Sequence, residues 1–585
     1  MMRSNGYNIS PDKLPRFDRL FFESDNIVSV IGYGAIGGKA SGLAFIQDAI
    51  TNQFRDNPIQ NIEISIPRLA VIATDYFDHF MKRNNLYDIA ASSEPDQYIA
   101  HAFNKAELPA EMVGDLRALI ASVKTPLAVR SSSLLEDAMY EPFAGVYATK
   151  MIPNNQPDID ARFRRLVEAI KFVYASTFFK AAKDYHRSVR RSTMDEKMAV
   201  IIQEVVGRRH YERFYPDISG VARSYNFYSV GRTKPEDGVV DLALGLGKAI
   251  VDGGLVWSYS PAFPNLSPPV GSPGELLKTT QSEFWAVNMG KPPVHDPVKE
   301  TEFLIKGSLA DAEYDGTLKN IASTFRPQDD RLVPGTGIKG PRAVTFAPIL
   351  SLEQYPLNNL VKTLLKVCEE AVECEVEIEF AATFENGSGR TLRLGFLQVR
   401  PMVVSHSKIE ITADEMTGEN VLAASDRVLG NGVVEEIKDI IYIMPETFNA
   451  KHTRQIAGEL SNFNSRMLDM QKPYLLIGFG RWGSSDPWLG TPVEWGNISG
   501  VKAIVEATLP DMDVDLSQGS HFFHNLTSLQ ICYFSVHHAG PYRINWEWLN
   551  GRKEESRTEF IRHVSLEKPL TVKVDGRSGR GVILA

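Results

Sequence analysis

Three observations predict a multi-lobed α/β (α+β) fold for this chain. Its 585 residues exceed what one hydrophobic core organises, so two to four domains are expected. Up to about residue 400, short β-branched apolar runs alternate with stretches whose apolar residues recur every three to four positions. After Pro401 the texture changes to one rich in Trp, Gly and His.

In chain order, strands are expected at 27–31, 62–73, 127–130, 198–205, 239–244, 376–381 and 392–399, and helices at 161–187 and 357–373. Residues 260–275, SPAFPNLSPPVGSPGE, read as a surface excursion because Pro and Gly interrupt any regular element. The expected division is into two lobes, 1–210 and 211–402, and a further domain, 403–585.

Composition narrows the function classes. Hydrophobic residues at 43% and charged residues at 23% are ordinary for a globular chain. A net charge of −9 argues against a general nucleic-acid binder, which needs an excess of Lys and Arg. The basic clusters at 187–191 and 208–209 read as solvated surface. Three cysteines, Cys368, Cys374 and Cys532, cannot make a disulfide framework, and none stands at zinc-ligand spacing from a histidine. The first residues are polar, and no apolar run approaches the roughly 20 residues that cross a bilayer. A cytoplasmic protein is expected.

Gly32, Gly34 and Gly37 spell the dinucleotide fingerprint GxGxxG, a weak signal alone. The acidic residue expected about 20 positions later is missing, since that window holds TNQFRDNP. An NAD-dependent enzyme is therefore disfavoured. Tyr33 and Ala40 also spoil a phosphate-binding P-loop. What remains is a Gly-Gly-Lys turn opening a helix. Either its N–H groups and Lys39 face a phosphate, or it is a tight turn with a solvated lysine.

The segment TPLAVRSSSLLEDAMYEPFAGVY is more specific. An apolar strand delivers Arg130, then Ser131, Ser132 and Ser133. A guanidinium suits phosphate oxygens because its planar fork donates two parallel hydrogen bonds. Glu136 and Asp137 follow, then Phe143-Ala144-Gly145, a small-residue turn able to close over a polyphosphate. Further on, Glu377 and Glu379 alternate along one strand and so share a face, as do Gln398 and Arg400. Two carboxylates on one face suit Mg²⁺.

These motifs, in this order, resemble the nucleotide-binding domain of phosphoenolpyruvate synthase and pyruvate phosphate dikinase, an ATP-grasp-type fold. IPRLAVIATDYFDHF, KFVYASTFFKAAKDYH, MAVIIQEVV, ISGVARSYN, LALGLGKAIVDG, EIEFAATF and LGFLQVRPM extend the likeness over about residues 27–402. The resemblance implies ATP and Mg²⁺ as cofactors, with Lys39, Arg130, Ser131, Glu379, Gln398 and Arg400 binding the nucleotide. It implies Glu377, Glu379 and Gln398 around Mg²⁺, and catalytic roles for Arg130 and Arg400. One departure is Lys248, where the family's Gly-Leu-Gly-Glu loop carries glutamate.

The 185 residues from 401 to 585 are fewer than the about 250 of a phosphoenolpyruvate-binding (β/α)₈ barrel, so a complete phosphoenolpyruvate synthase is not expected. Residues 421–434, the Ser485-Asp486-Pro487-Trp488 run, VKAIVEA, QGSHFFHNL and PLTVKVDGRSGRGVIL resemble, in order, a divergent swivelling phosphohistidine domain. His521 is then the candidate phosphocarrier. The alternative is that His521 and His524 are structural or contact substrate. Residues 477–490, IGFGRWGSSDPWLG, read equally as a binding loop with Arg481 and a stacking Trp482, or as a turn with Trp482 in the core.

The expected activity is ATP-dependent phosphotransfer to a histidine or a bound acceptor, small molecule or protein. The alternative is a nucleotide-binding regulatory module without catalysis. No nucleic-acid or membrane partner is expected, and a homodimer is left open.

Overall fold

The computed structural model describes residues 11–585 apart from 22–23, 25, 135, 137–144, 189–190, 228–231, 267–272, 386–390, 403, 405–408, 485, 487, 511, 513–525 and 527–528. His521, His524, Phe143 and Ala144 therefore lie outside the described residues, as do Asp137, Ser485 and Pro487.

A five-stranded sheet holds, in spatial order, Val28–Ile31, Leu69–Ile72, Met198–Glu204, Leu127–Ser133 and Thr149–Ile152. Its apolar strands are buried on both faces, which is why they read as unbroken runs. Ile72, Val129, Val200 and Ile202 face one core with the helices Asp96–Lys105 and Ile159–Ser176. Val28, Val71 and Ile201 face the other core with a second sheet. That six-stranded sheet runs Trp257–Tyr259, Val239–Ala243, Ile218–Arg223, Val376–Phe384, Leu392–Pro401 and Ile62–Ser65.

Two expected elements are each divided. The run 62–73 forms two strands in different sheets, because Pro67 has no N–H for a ladder. Ile62–Ser65 pairs with Leu392–Gly395, so it crosses the expected boundary at 210. The helix expected at 161–187 is Ile159–Ser176 followed by Lys180–Ser188. The Asp96 carboxylate accepts from the Lys180 N–H at 2.8 Å, starting a new helix there. Helix Leu357–Val372 ends where expected, with Glu373 left-handed at φ 61°.

Beyond Pro401, four parallel strands form the centre of a seven-stranded sheet: Asp439–Ile443, Tyr474–Phe479, Val501–Ala507 and Cys532–Val536. Helix Thr453–Asp469 provides the first crossover, as parallel pairing requires. A four-stranded antiparallel sheet pairs the hairpin Thr571–Asp575 and Arg580–Leu584 with Val421–Ser425 and Gly432–Val434. This region docks on helix Lys180–Ser188: a Cβ on Gly496 would meet the Ala181 Cα at 3.0 Å, and Lys180 donates to Ser461. No helix among the described residues is long and apolar enough to cross a membrane.

Candidate functional site

The glycine turn is shaped by protein partners. The Tyr33 and Gly34 N–H groups donate to the Asp75 carboxylate, and Ala35 N–H to Thr74 Oγ1, at 3.0–3.1 Å. These three N–H groups, just ahead of the Gly37-Gly38-Lys39 turn, are thus satisfied within the protein. The glycines of the turn itself allow close approach. A Cβ on Gly37, itself at φ 76°, would fall 1.7 Å from the Ser132 carbonyl oxygen. Ser132 Oγ accepts from the Ala40 N–H and donates to the Ile36 carbonyl, fastening the helix Gly37–Asp56 to the end of the arginine strand.

That fastening brings Lys39 to Ser131. The ammonium donates to Ser131 Oγ at 3.1 Å and to Glu136 Oε1 at 2.7 Å. Glu136, 1% exposed, also accepts from Ser131 Oγ and from the Ser133 N–H. Lys39 is 7% exposed and already carries a counter-ion, so the solvated-lysine reading does not hold.

Arg130 projects from the first sheet toward the second. Its guanidinium donates to Gln398 Oε1 at 2.6 Å and to the Leu397 carbonyl at 3.1 Å, and lies 3.7 Å from Glu379 Oε2. Antiparallel register sets Arg223, Glu377 and Arg400 side by side in one cross-strand row, and Glu379 beside Gln398 in the next. Arg400 contacts Glu377 at 3.2 Å and Glu379 at 3.1 Å. Arg223 donates to Glu377 Oε2 at 2.8 Å and to Asp241 Oδ2 at 3.0 Å. Opposite charges thus alternate from Asp241 through Arg223, Glu377, Arg400 and Glu379 to Arg130.

The structure brings Lys39 to Ser131, and Arg130 to Glu377, Glu379, Gln398 and Arg400 through this array. Sequence reasoning missed Arg223 and Asp241 and gave Glu136 no role. The usable signal was a charged residue inside an apolar run, as Arg223 is in ISGVAR and Asp241 in VVDLA.

For Mg²⁺ the donor set divides. Both Glu377 oxygens are taken by guanidinium groups, which suits an arginine clamp rather than a cation ligand. Glu379 is also flanked by Arg400 and Arg130, and Gln398 Oε1 accepts from Arg130. Glu379 Oε2 stands 3.7 Å from Arg130, however, which leaves Glu379, with Gln398 across the strand pair, as the less engaged oxygen donors of the right chemistry. Among the described residues no group of three or more His, Cys, Asp or Glu is placed to share a metal.

Lys248 opens a short helix after the loop Gly245-Leu246-Gly247 and pairs with Asp252 at 3.2 Å. Burial opposes its charge, but Glu300 and Asp252 outweigh that and hold the ammonium above its usual pKa. The cation is retained. Trp482 is 1% exposed and packs over Gly478, where a Cβ would meet its ring at 2.4 Å. The core reading of Trp482 is therefore correct, and stacking on a ligand is excluded. Arg481 donates to the Gly253 carbonyl at 3.4 Å, tying this loop to the turn after the Lys248 helix.

Comparison with curated proteins returns no match. The profile of the family described as pyruvate phosphate dikinase, AMP/ATP-binding domain, matches residues 33–420 and spans the glycine turn, the arginine strand and the acidic strand pair. With about two thirds of its length in that match, the chain belongs to the pyruvate phosphate dikinase AMP/ATP-binding domain family.

Proposed function

We propose that the chain is an ATP-dependent phosphotransferase of the phosphoenolpyruvate synthase and pyruvate phosphate dikinase type. The observation that carries this reading is the junction of the two sheets, where Arg130 meets Gln398 and Glu379 beside Arg400. Phosphoryl transfer depends chiefly on cations fixed where charge gathers on phosphate oxygens. Lys39, Arg130, Ser131 and Arg400 bind and orient the phosphate chain, with Arg130 and Arg400 neutralising the transferring group. Glu379 and Gln398 are the residues assigned to hold Mg²⁺, which supplies further neutralisation. Glu377 is assigned to orienting Arg400.

The acceptor is a histidine of this chain or a bound molecule, and His521 is the proposed carrier in a phosphohistidine-like region 403–585. The test incubates the protein with Mg²⁺ and ATP labelled at the β or γ phosphate, then separates AMP, ADP and protein. AMP with acid-labile labelled protein, abolished in His521→Ala, is the expected result. ADP without labelled protein overturns the dikinase reading. ATP binding with no turnover favours the non-catalytic module.

A further inference from the structure

Arg223 has no role in the reading above, yet it is 5% exposed and engages two carboxylates at once. Its partners sit on different strands. Asp241 lies on Val239–Ala243 and Glu377 on Val376–Phe384, with Arg223 ending the strand Ile218–Arg223 between them. Asp241 in turn accepts a hydrogen bond from Ser258 on the edge strand Trp257–Tyr259.

A buried carboxylate flanked by two guanidinium groups has its orientation set by both. Arg223 Nε takes Glu377 Oε2 and Arg400 Nη1 takes Oε1. Arg400 therefore meets a carboxylate whose rotation is already fixed from behind. Its second nitrogen reaches Glu379, which faces Arg130. A lysine cannot copy this arrangement, because one ammonium lacks the planar fork that serves two acceptors at set angles.

We infer that Arg223, held by Asp241, is a positioning residue for the polyphosphate site: it locks Glu377 and so aims Arg400 at the phosphate chain. This inference rests on the proposed role of Arg400. Arg223 acts through its contact with Glu377. Its loss lets Glu377 turn, and Arg400 follows the freed carboxylate away from Glu379.

The test compares affinities for MgATP and for AMP in the wild-type chain, Arg223→Met and Arg223→Lys, by calorimetric titration. AMP lacks the β and γ phosphates and reports the rest of the site. Arg223→Met is expected to bind MgATP about tenfold more weakly with AMP affinity unchanged, and Arg223→Lys to recover only part of the loss. Should Arg223→Met fail to fold, the double variant Arg223→Met/Asp241→Asn removes both charges together and carries the same expectation. Unchanged MgATP affinity overturns the inference. An equal fall for MgATP and AMP also overturns it, since that is a general structural effect. Failure of the wild-type chain to bind MgATP would instead overturn the underlying functional reading.

Discussion

The six-stranded sheet of the nucleotide-binding region and the seven-stranded sheet of the C-terminal region are both buried, but they treat polar groups differently. The first lines up Arg223, Glu377 and Arg400 across three strands, each 5% exposed or less. The second fills most positions of its parallel strands with Ile, Leu, Val and Tyr and keeps its buried carboxylates apart. Asp439 meets His563 on the next strand at 2.8 Å, Glu506 accepts from Tyr533, and Asn464 on the helix Thr453–Asp469 has neutral partners. Asn464 donates to the Gly496 carbonyl and Ser499, and accepts from Tyr474 and the Gly500 N–H. Desolvating charges is expensive and gains little stability over apolar packing of the same volume. A continuous row of buried charges therefore calls for a reason beyond stability, which the proposed phosphate site supplies, whereas single paired carboxylates, neutral contacts and aromatic packing do not.

Breaking the charged row tests this contrast most severely. Arg400→Met leaves Glu377 and Glu379 short of a partner, and should cost about 3–5 kcal/mol in urea unfolding while removing most MgATP affinity. Wild-type MgATP binding by that variant would show that the array serves the fold alone. In the other region, Trp482→Ala empties the space above Gly478 and should cost about 3–5 kcal/mol, with MgATP affinity intact. A normal melt with lost nucleotide binding would return Trp482 to a ligand role.

A titration sharpens the comparison next. Glu196 and His186 lie 3.8 Å apart beside the first sheet, with Tyr147 Oη 2.9 Å from His186 Nε2. Burial pushes the Glu196 carboxyl up to about 7 and the His186 imidazole down to about 4. Between pH 4.5 and 7 the folded Glu196 keeps a proton that the unfolded chain has released, so its contribution to stability falls as pH rises. His186 runs the opposite way between about 4 and 6.5, and in the wild-type chain the two largely offset. Glu196→Gln removes the falling part. Its stability relative to wild type should rise by on the order of 3 kcal/mol from pH 4.5 to 7, read from urea midpoints. A difference independent of pH would mean that Glu196 is ionised throughout. The smallest effect is expected at the exposed Arg83–Glu107 pair, where Arg83→Ala should change stability by less than about 0.5 kcal/mol.

Legibility in the sequence followed chemical type and local spacing. Arg130 following an apolar run, and the alternation of Glu377 with Glu379 and of Gln398 with Arg400, are local facts. The structure places each alternating pair on one face, but carries the strand past Arg130, where it was expected to end, to Ser133. The Pro67 division was also local, but a long apolar run concealed it. The break after Ser176 depends on Asp96, 84 positions away from Lys180, and the Lys39–Glu136 pair spans 97 positions. Neither separation leaves a periodic trace. Trp482 was undecidable from its own segment because its burial depends on the room left above Gly478.

By itself the sequence determined the α/β class, the order of the family's motifs and which residues are the candidates for gripping phosphate, because residue type and strand alternation carry that information within a few positions. Only the tertiary structure decided which carboxylate each cation meets. Strand register put Arg223 against Glu377 across 154 positions, and apposition of two sheets put Arg130 against Gln398 across 268. Charge pairing at such separations is a property of packing, and packing is settled by the whole chain at once.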